Sequence, residues 1–491
     1  MKYIWNIWSI FVLFLILRFL LIVTFPPFTD ESLYIRWGQL MIWNPDFRFA
    51  SILYHSRQPL AFWLFGIGAI VANNPLIGGR LVALLVSIPS FFALYLFMKK
   101  SFDQKTALIS ILLLTISPLA IMFQSLALMD GILFSSTFCI VYLLSEYRLH
   151  SKTQILLATG LMLVILLWIK TTALFIITPT IFTALTIFRL SFFNRTKQIV
   201  NFLILLLPII LIALLLLLLP NFSKIVSEPG SFIFSLKELM TLPTASWVSN
   251  GVYALYGYMT YFTPIVFLFG LIGAYKYRKE KSTTPLIFFA LTILFSILLG
   301  KIFRIRYILY ALVGIIPFTA LFLSQTHLIR SVNRLKYIFC IGSSFLISLM
   351  LIINPHLFFS LFPENSTLSR EREYAYGWTA GDGIQKLIDF IDKTPRSSHE
   401  RIILFTEDSP GNPSDYVLLK YYFDPTVIIS PIDISASSLR SLSQKKGNTP
   451  VFVIARSIRV DQTTEPYLSL IQSFSEHDPH EALHLYQLKS P

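Results

Sequence analysis

The sequence predicts an α-helical polytopic membrane protein with a small α/β domain at its C-terminal end. Three observations carry that prediction. First, 55% of the 491 residues are hydrophobic and the mean hydropathy is +0.67, outside the range of ordinary water-soluble domains. Second, the apolar residues gather into runs long enough to cross ~30 Å of hydrocarbon, which takes about 20 helical residues. Third, charge is divided unevenly. Residues 1–355 hold 27 Lys/Arg against nine Asp/Glu, whereas residues 356–491 hold 13 against 17. A basic membrane part with a mildly acidic tail argues against a nucleic-acid partner and for short basic loops beside a domain in water. The expected division is a membrane domain over 1–355 and an extracytoplasmic α/β domain over 364–491.

Eleven spans are expected near 4–25, 76–98, 104–121, 127–146, 153–169, 172–189, 198–220, 261–276, 285–300, 307–324 and 335–354. The first run carries Lys2 and no small-residue cleavage site before Thr29, so it reads as a retained helix. Every second loop is basic: Lys99, Lys100 and Lys105; Arg148 and Lys152; Arg189, Arg195 and Lys197; Lys276, Arg278, Lys279 and Lys281; Arg330, Arg334 and Lys336. The positive-inside rule then puts the N-terminus in the cytoplasm and Asp30, loop 221–260 and the tail outside. Segment 26–75 mixes Trp37, Trp43, Phe62 and Trp63 with Pro26, Pro27, Pro45 and Pro59, a pattern for short helices along the outer interface. Reading 59–73 as a span would invert every later loop. Loop 221–260, with Trp247, Tyr253, Tyr256, Tyr258 and Tyr261, has the same interfacial character.

In the tail, Gly381 to Lys393 reads as a helix, with Ile384, Leu387, Ile388 and Ile391 on one face. Ile402–Phe405, Val427–Ile429 and Val451–Ile454 read as buried strands alternating with helical stretches at 414–422, 436–443 and 463–474. That alternation predicts a largely parallel sheet. Cys139 and Cys340 fall inside apolar runs and imply no disulfide framework.

The chemistry begins with Asp30 and Glu31, two of the nine carboxylates of residues 1–355, adjacent where the chain leaves the first span. Carboxylates there are costly unless they are used. They could be a solvated helix end, or a general base that takes a proton from an acceptor hydroxyl and holds it for in-line attack. Asp130 opens a later apolar run on the same expected side, where a helix N-terminus also favours a carboxylate. Lys170 needs an anionic partner: Asp130, a carboxylate of the first loop, or a lipid phosphate. Lys301, Arg304 and Arg306 place three cations on the expected outer side. They read either as interfacial snorkelling or as an anion site for a phosphate-bearing lipid. Transfer from a lipid-linked phosphosugar needs both kinds of group, carboxylates for the acceptor and cations for the phosphate leaving group.

Several stretches, in order, resemble the motifs of one family. They are Phe28-Thr29-Asp30-Glu31-Ser32-Leu33-Tyr34, Gln58-Pro59-Leu60-Ala61-Phe62-Trp63, Ala127-Leu128-Met129-Asp130, the turn at Lys170, and Gly300 to Tyr310. The family is the GT-C membrane glycosyltransferases, of the protein O-mannosyltransferase and lipid A aminoarabinose transferase type. The stretch from Tyr376 to Gly383 is similar to an outer domain of bacterial relatives. The resemblance implies a GT-C fold and inverting transfer of a sugar from a polyprenyl-phosphate donor to an extracytoplasmic hydroxyl. It implies Asp30 as the base, with Glu31 and Asp130 positioning and balancing charge. Lys301, Arg304, Arg306, Lys170 and Arg57 would meet the donor phosphate, and Tyr34, His55, Gln58, Pro59 and Tyr307 would shape the substrate site.

The sequence departs from the family where a Glu-Lys pair gives way to Arg57-Gln58. Arg57 cannot ligate a metal, so metal-independent transfer without a cofactor is expected, with a divalent metal left open. No insert resembles the β-trefoil domain of eukaryotic protein mannosyltransferases. The sugar stays open, as does the acceptor, whether protein, glycolipid or wall polymer. The expected setting is the cytoplasmic membrane of a bacterium. The alternative function is a lipid-linked glycan transporter or flippase, which often shows inverted repeats and paired broken helices that this sequence lacks.

Overall fold

Long apolar helices make up most of the chain, as the hydropathy requires. The structure, a computed structural model, describes residues 6–49, 57–190, 195–218, 233–325, 330–364, 366–393, 401–445, 450–474 and 482–489. Packing divides the chain into two units. The first comprises Met1–Thr24, Asp46–Ala61 and Arg80–Leu361, and the second comprises Phe25–Pro45, Phe62–Gly79 and Phe362–Pro491.

Among the described residues, eight helices are long and apolar enough to cross a membrane: Ile7–Thr24, Pro75–Ser101, Met129–His150, Thr171–Arg189, Thr196–Leu215, Thr244–Tyr277, Lys281–Leu299 and Arg334–Ile353. Gln104–Thr115 and Pro118–Ser125, bent by 63°, make one further span if taken together. Thr153–Ile169 and Leu309–Gln325 are shorter apolar helices. All eleven expected spans therefore fall on apolar helices, and the chain is a multi-pass membrane protein. Segment 59–73 holds the 12-residue helix Leu60–Val71, too short to span at 1.5 Å per residue.

Within loop 221–260, expected at the interface, a helix begins at Thr244. Trp247, Tyr253, Tyr256 and Tyr258 are helical, and the indole N–H of Trp247 donates to the Leu298 carbonyl at 2.9 Å. A kink falls near the start of the expected span 261–276. Thr263 has φ 65° and ψ 145°, immediately before Pro264, and proline removes the helical donor there.

Arg18, the one charge within the first span, is fully buried in the first unit. The 63° bend between Gln104–Thr115 and Pro118–Ser125 frees carbonyls at the end of the former helix. The Arg18 guanidinium donates to two of them, Leu114 at 3.1 Å and Thr115 at 3.2 Å. It also donates twice to Gln124 Oε1, at 2.6 and 3.0 Å, and lies over the Phe14 ring. The Gln124 amide in turn donates to Ser90 and Ser135.

The second unit contains a five-stranded sheet of order β2-β1-β3-β5-β4. Its strands are β1 (Ile402–Glu407), β2 (Val427–Ile432), β3 (Val451–Arg456), β4 (Leu468–Ser473) and β5 (Leu483–Leu488). β1 pairs in parallel with β2 and β3, as the strand–helix alternation predicts, and β5 and β4 complete the sheet antiparallel. The expected helix at 463–474 is thus corrected to the short 3-10 turn Glu465–Tyr467 followed by edge strand β4. Pro466 interrupts helical bonding, and the open edge of β5 supplies partners that a lone helix would lack. Val451, Val453, Ala455, Tyr486, Leu488, Leu468 and Leu439 form the core of this sheet.

The same unit includes the helix Thr29–Trp43 and, from Phe62 on, the helix Leu60–Val71. The Tyr34 ring meets Phe62 edge-on, with centroids 5.3 Å apart.

Candidate functional site

The two neighbouring carboxylates are treated differently by their helix. Asp30 and Glu31 occupy the first turn of Thr29–Trp43, where the helix dipole favours negative charge. Glu31 is fully buried, and its Oε2 accepts the Phe28 N–H at 3.3 Å. It therefore closes a backbone donor at the helix start. Asp30 is half-buried, so water or a substrate can reach it. Tyr34, one helical turn on from Asp30, is buried against Phe62.

In the first unit, Asp130 and Lys170 form a two-pronged ion pair. Lys170 Nζ lies 2.8 Å from Oδ1 and 2.9 Å from Oδ2 of Asp130. Asp130 stands in the first turn of Met129–His150 and is buried, while Lys170 sits in extended conformation at the break after Thr153–Ile169. Of the three partners open to Lys170 on sequence grounds, the structure pairs it with Asp130. The Lys170 ammonium and the Arg306 guanidinium both lie 5.7 Å from the Tyr307 ring centroid. Tyr310, fully buried, is within electrostatic reach of Asp130, and its hydroxyl is 3.4 Å from Thr172 Oγ1.

The basic segment after Lys281–Leu299 is anchored by Asn250, whose amide donates to the Ile297 and Gly300 carbonyls at 3.0 and 2.8 Å. Lys301 Nζ lies 2.7 Å from Glu238 Oε1. The Lys301 ammonium, with the Ser235 N–H and hydroxyl, holds the Glu238 carboxyl down at about 2. Arg304, Arg306 and Tyr307 are half-buried. Gln58 and Pro59 are buried and Arg57 is half-buried; His55 lies outside the described residues.

Thus Asp130, Lys170, Tyr307 and Arg306 come together in the first unit, with Lys301 on a separate carboxylate. Asp30, Glu31 and Tyr34 share one helix in the second. Sequence reasoning did not single out Thr172, next to the Lys170 turn, or Tyr310, at the end of the basic segment. Among the described residues, no three His, Cys, Asp or Glu side chains gather to hold a metal ion.

A polytopic helical body with short helices after the first span and an α/β tail is a fold with solved counterparts. ArnT from Cupriavidus metallidurans bound to undecaprenyl phosphate superposes with a TM-score of 0.61 at 12% identity, over 98% of this chain and 97% of that one. The same protein in the apo state gives 0.59 at 10% identity over the same shares. At such identities the likeness is one of fold. An oligosaccharyltransferase of Archaeoglobus fulgidus, in complex with Zn and sulfate, is more distant, at 0.44 and 13% identity over 90% and 67% of the two chains. Residues 55–221 match the family model of dolichyl-phosphate-mannose-protein mannosyltransferases. Among curated protein sequences, none matches this chain. The chain thus has the fold of ArnT, and its residues 55–221 resemble the mannosyltransferase family model.

Proposed function

We propose that this protein transfers a sugar from a polyprenyl-phosphate carrier to an acceptor hydroxyl outside the cytoplasmic membrane, with inversion. One observation carries the assignment of the base. Of the two adjacent carboxylates, Glu31 is consumed as a buried helix cap while Asp30 stays accessible. Asp30 takes the acceptor proton, and the acceptor oxygen attacks the anomeric carbon. The bond from that carbon to the carrier phosphate breaks, and polyprenyl phosphate leaves as the anion. A single displacement of this kind inverts the centre.

Cations lower the barrier by matching the charge that develops on the leaving phosphate. Lys301, Arg304, Arg306, Lys170 and Arg57 are the groups assigned to it. Asp130 holds Lys170 in place through its two carboxylate oxygens, 2.8 and 2.9 Å from Nζ. Support for the carrier class comes from the ArnT fold, solved with undecaprenyl phosphate, and from the mannosyltransferase segment. The membrane is taken as bacterial, with the N-terminus inside and the tail outside. Transfer is proposed to need no metal, so activity should survive EDTA.

The deciding experiment uses purified wild type and Asp30→Asn, a panel of radiolabelled polyprenyl-phosphate sugars, and envelope extract as acceptor. Label should move in wild type and fall by about 10³-fold or more in the variant, the scale of losing a positioned general base. Equal transfer by both proteins would remove Asp30 from the mechanism.

A further inference from the structure

We infer that Asn412 is a positioning residue for Asp30: the loop after β1 grips the entry to the Thr29–Trp43 helix and fixes where the Asp30 carboxylate faces. The inference rests on Asp30 being the base. β1 leads to β2 on one side, and β2 leads to β3 on the other. The carboxyl ends of β1 and β3 therefore border a topological switch point, where open α/β sheets usually hold ligands. Here that crevice is closed with the protein's own groups. Glu407 ends β1 and Arg456 ends β3, joined by a buried ion pair of 2.6 Å. The Glu407 carboxylate also accepts the Arg456 N–H at 2.8 Å, and the Arg456 guanidinium lies over the Trp378 ring.

The loop that leaves β1 then meets the segment from Pro27 to Thr29. The Asn412 N–H donates to Thr29 Oγ1 at 2.9 Å. Its side-chain amide donates to the Pro27 carbonyl at 2.8 Å and to the Thr379 carbonyl at 3.3 Å. Asn412 is fully buried. Two glycines permit this approach. Gly411, at φ +90°, would carry a Cβ 2.0 Å from Thr29 Oγ1, and Gly381, at φ +64°, one 2.9 Å from the Pro27 carbonyl.

Further along the helix, the Arg36 guanidinium stacks 4.4 Å over the Tyr422 ring. Thr29 and Arg36 are seven residues apart, so at about 100° per residue they lie on one face. Asp30 and Tyr34 lie together on another. Holding the first face aims the second. A helix start is otherwise the part most prone to fray, and displacement of a catalytic group by ~1 Å can cost about 10²-fold in rate.

The test uses the full chain with Asn412→Ala, Thr29→Val and Thr29→Ser, and the radiolabelled polyprenyl-phosphate sugar that wild type accepts. Asn412→Ala and Thr29→Val should each lower kcat about tenfold with donor KM unchanged. Each should also speed hydrogen exchange at the amides of residues 29–34. Thr29→Ser keeps the acceptor oxygen and should restore both. Asn412→Ala removes the side-chain bonds to Pro27 and Thr379, and Thr29→Val removes the acceptor of the residue 412 backbone N–H, so the double variant should be slower than either single one. If Asn412→Ala does not fold, the contrast of Thr29→Val with Thr29→Ser decides alone. Folded variants with wild-type kcat and wild-type exchange, beside an inactive Asp30→Asn, would overturn the inference. An active Asp30→Asn would instead overturn the base assignment and the positioning of a base with it, even if exchange still reported the contact.

Discussion

Arg18 and Arg36 lie on consecutive helices, both are buried, and they are handled in opposite ways. Arg18 is surrounded by acceptors: two freed carbonyls, one amide oxygen and an aromatic face. Arg36 stacks on Tyr422, yet its Nε and Nη1 are buried without a hydrogen-bond partner among the described residues. Gln39, three residues on, has both amide atoms in the same state. The contrast separates a charge that builds the fold from one the fold tolerates. A saturated guanidinium stitches a broken helix together. The other leaves two donors unpaired among the described residues beside an oriented contact with Tyr422.

The largest break in that comparison should come from Arg18→Leu. It leaves the Leu114 and Thr115 carbonyls and the Gln124 oxygen without their donor, at about 1–3 kcal/mol each. Thermal unfolding in detergent should show a loss of roughly 5 kcal/mol, or no folded protein. Lys170→Met comes next, because it strands the buried Asp130 charge at a cost of about 3–5 kcal/mol. Adding Asp130→Asn should return most of that stability, read by the same melts, and leave transfer impaired.

Asp415 sharpens the Arg36 side. Its carboxylate accepts the Gly411 N–H at 2.6 Å, and burial pushes its pKa up to about 6, against the pull of that N–H and of Arg36. The folded state therefore binds this proton more tightly than the unfolded chain does. The resulting stability is full below about pH 4 and is lost as pH rises through 6, up to about 3 kcal/mol. Wild type should lose melting temperature on going from pH 4.5 to 7.5, and Asp415→Asn should flatten that slope. The smallest effect belongs to Arg36→Met. Met fills similar volume and removes two unsatisfied donors, so stability should change by less than about 1 kcal/mol. A drop as large as that of Arg18→Leu would erase the distinction between the two arginines.

The spans, strands β1 to β3 and the helices between them were legible in the residues, since apolar runs and their periods report burial directly. So was the need of Lys170 for an anion, because a charge in hydrocarbon demands one. Edge strand β4 was not legible: Leu468 to Ser473 carries a mixed pattern, and its pairing with β5 settled its form. The helix from Thr244 was hidden by aromatic residues that suit a membrane interface and a helix face equally well.

Composition and charge were enough to read a polytopic membrane chain that ends in an α/β tail and carries two adjacent carboxylates after its first apolar helix. Which carboxylate stays accessible was decided by capping geometry at Phe28 and Glu31. That Asn412 closes on Thr29, 383 residues away in sequence, was decided by tertiary packing alone. Local pattern records which face of an element is apolar. It carries no record of which distant loop will supply a hydrogen bond to it.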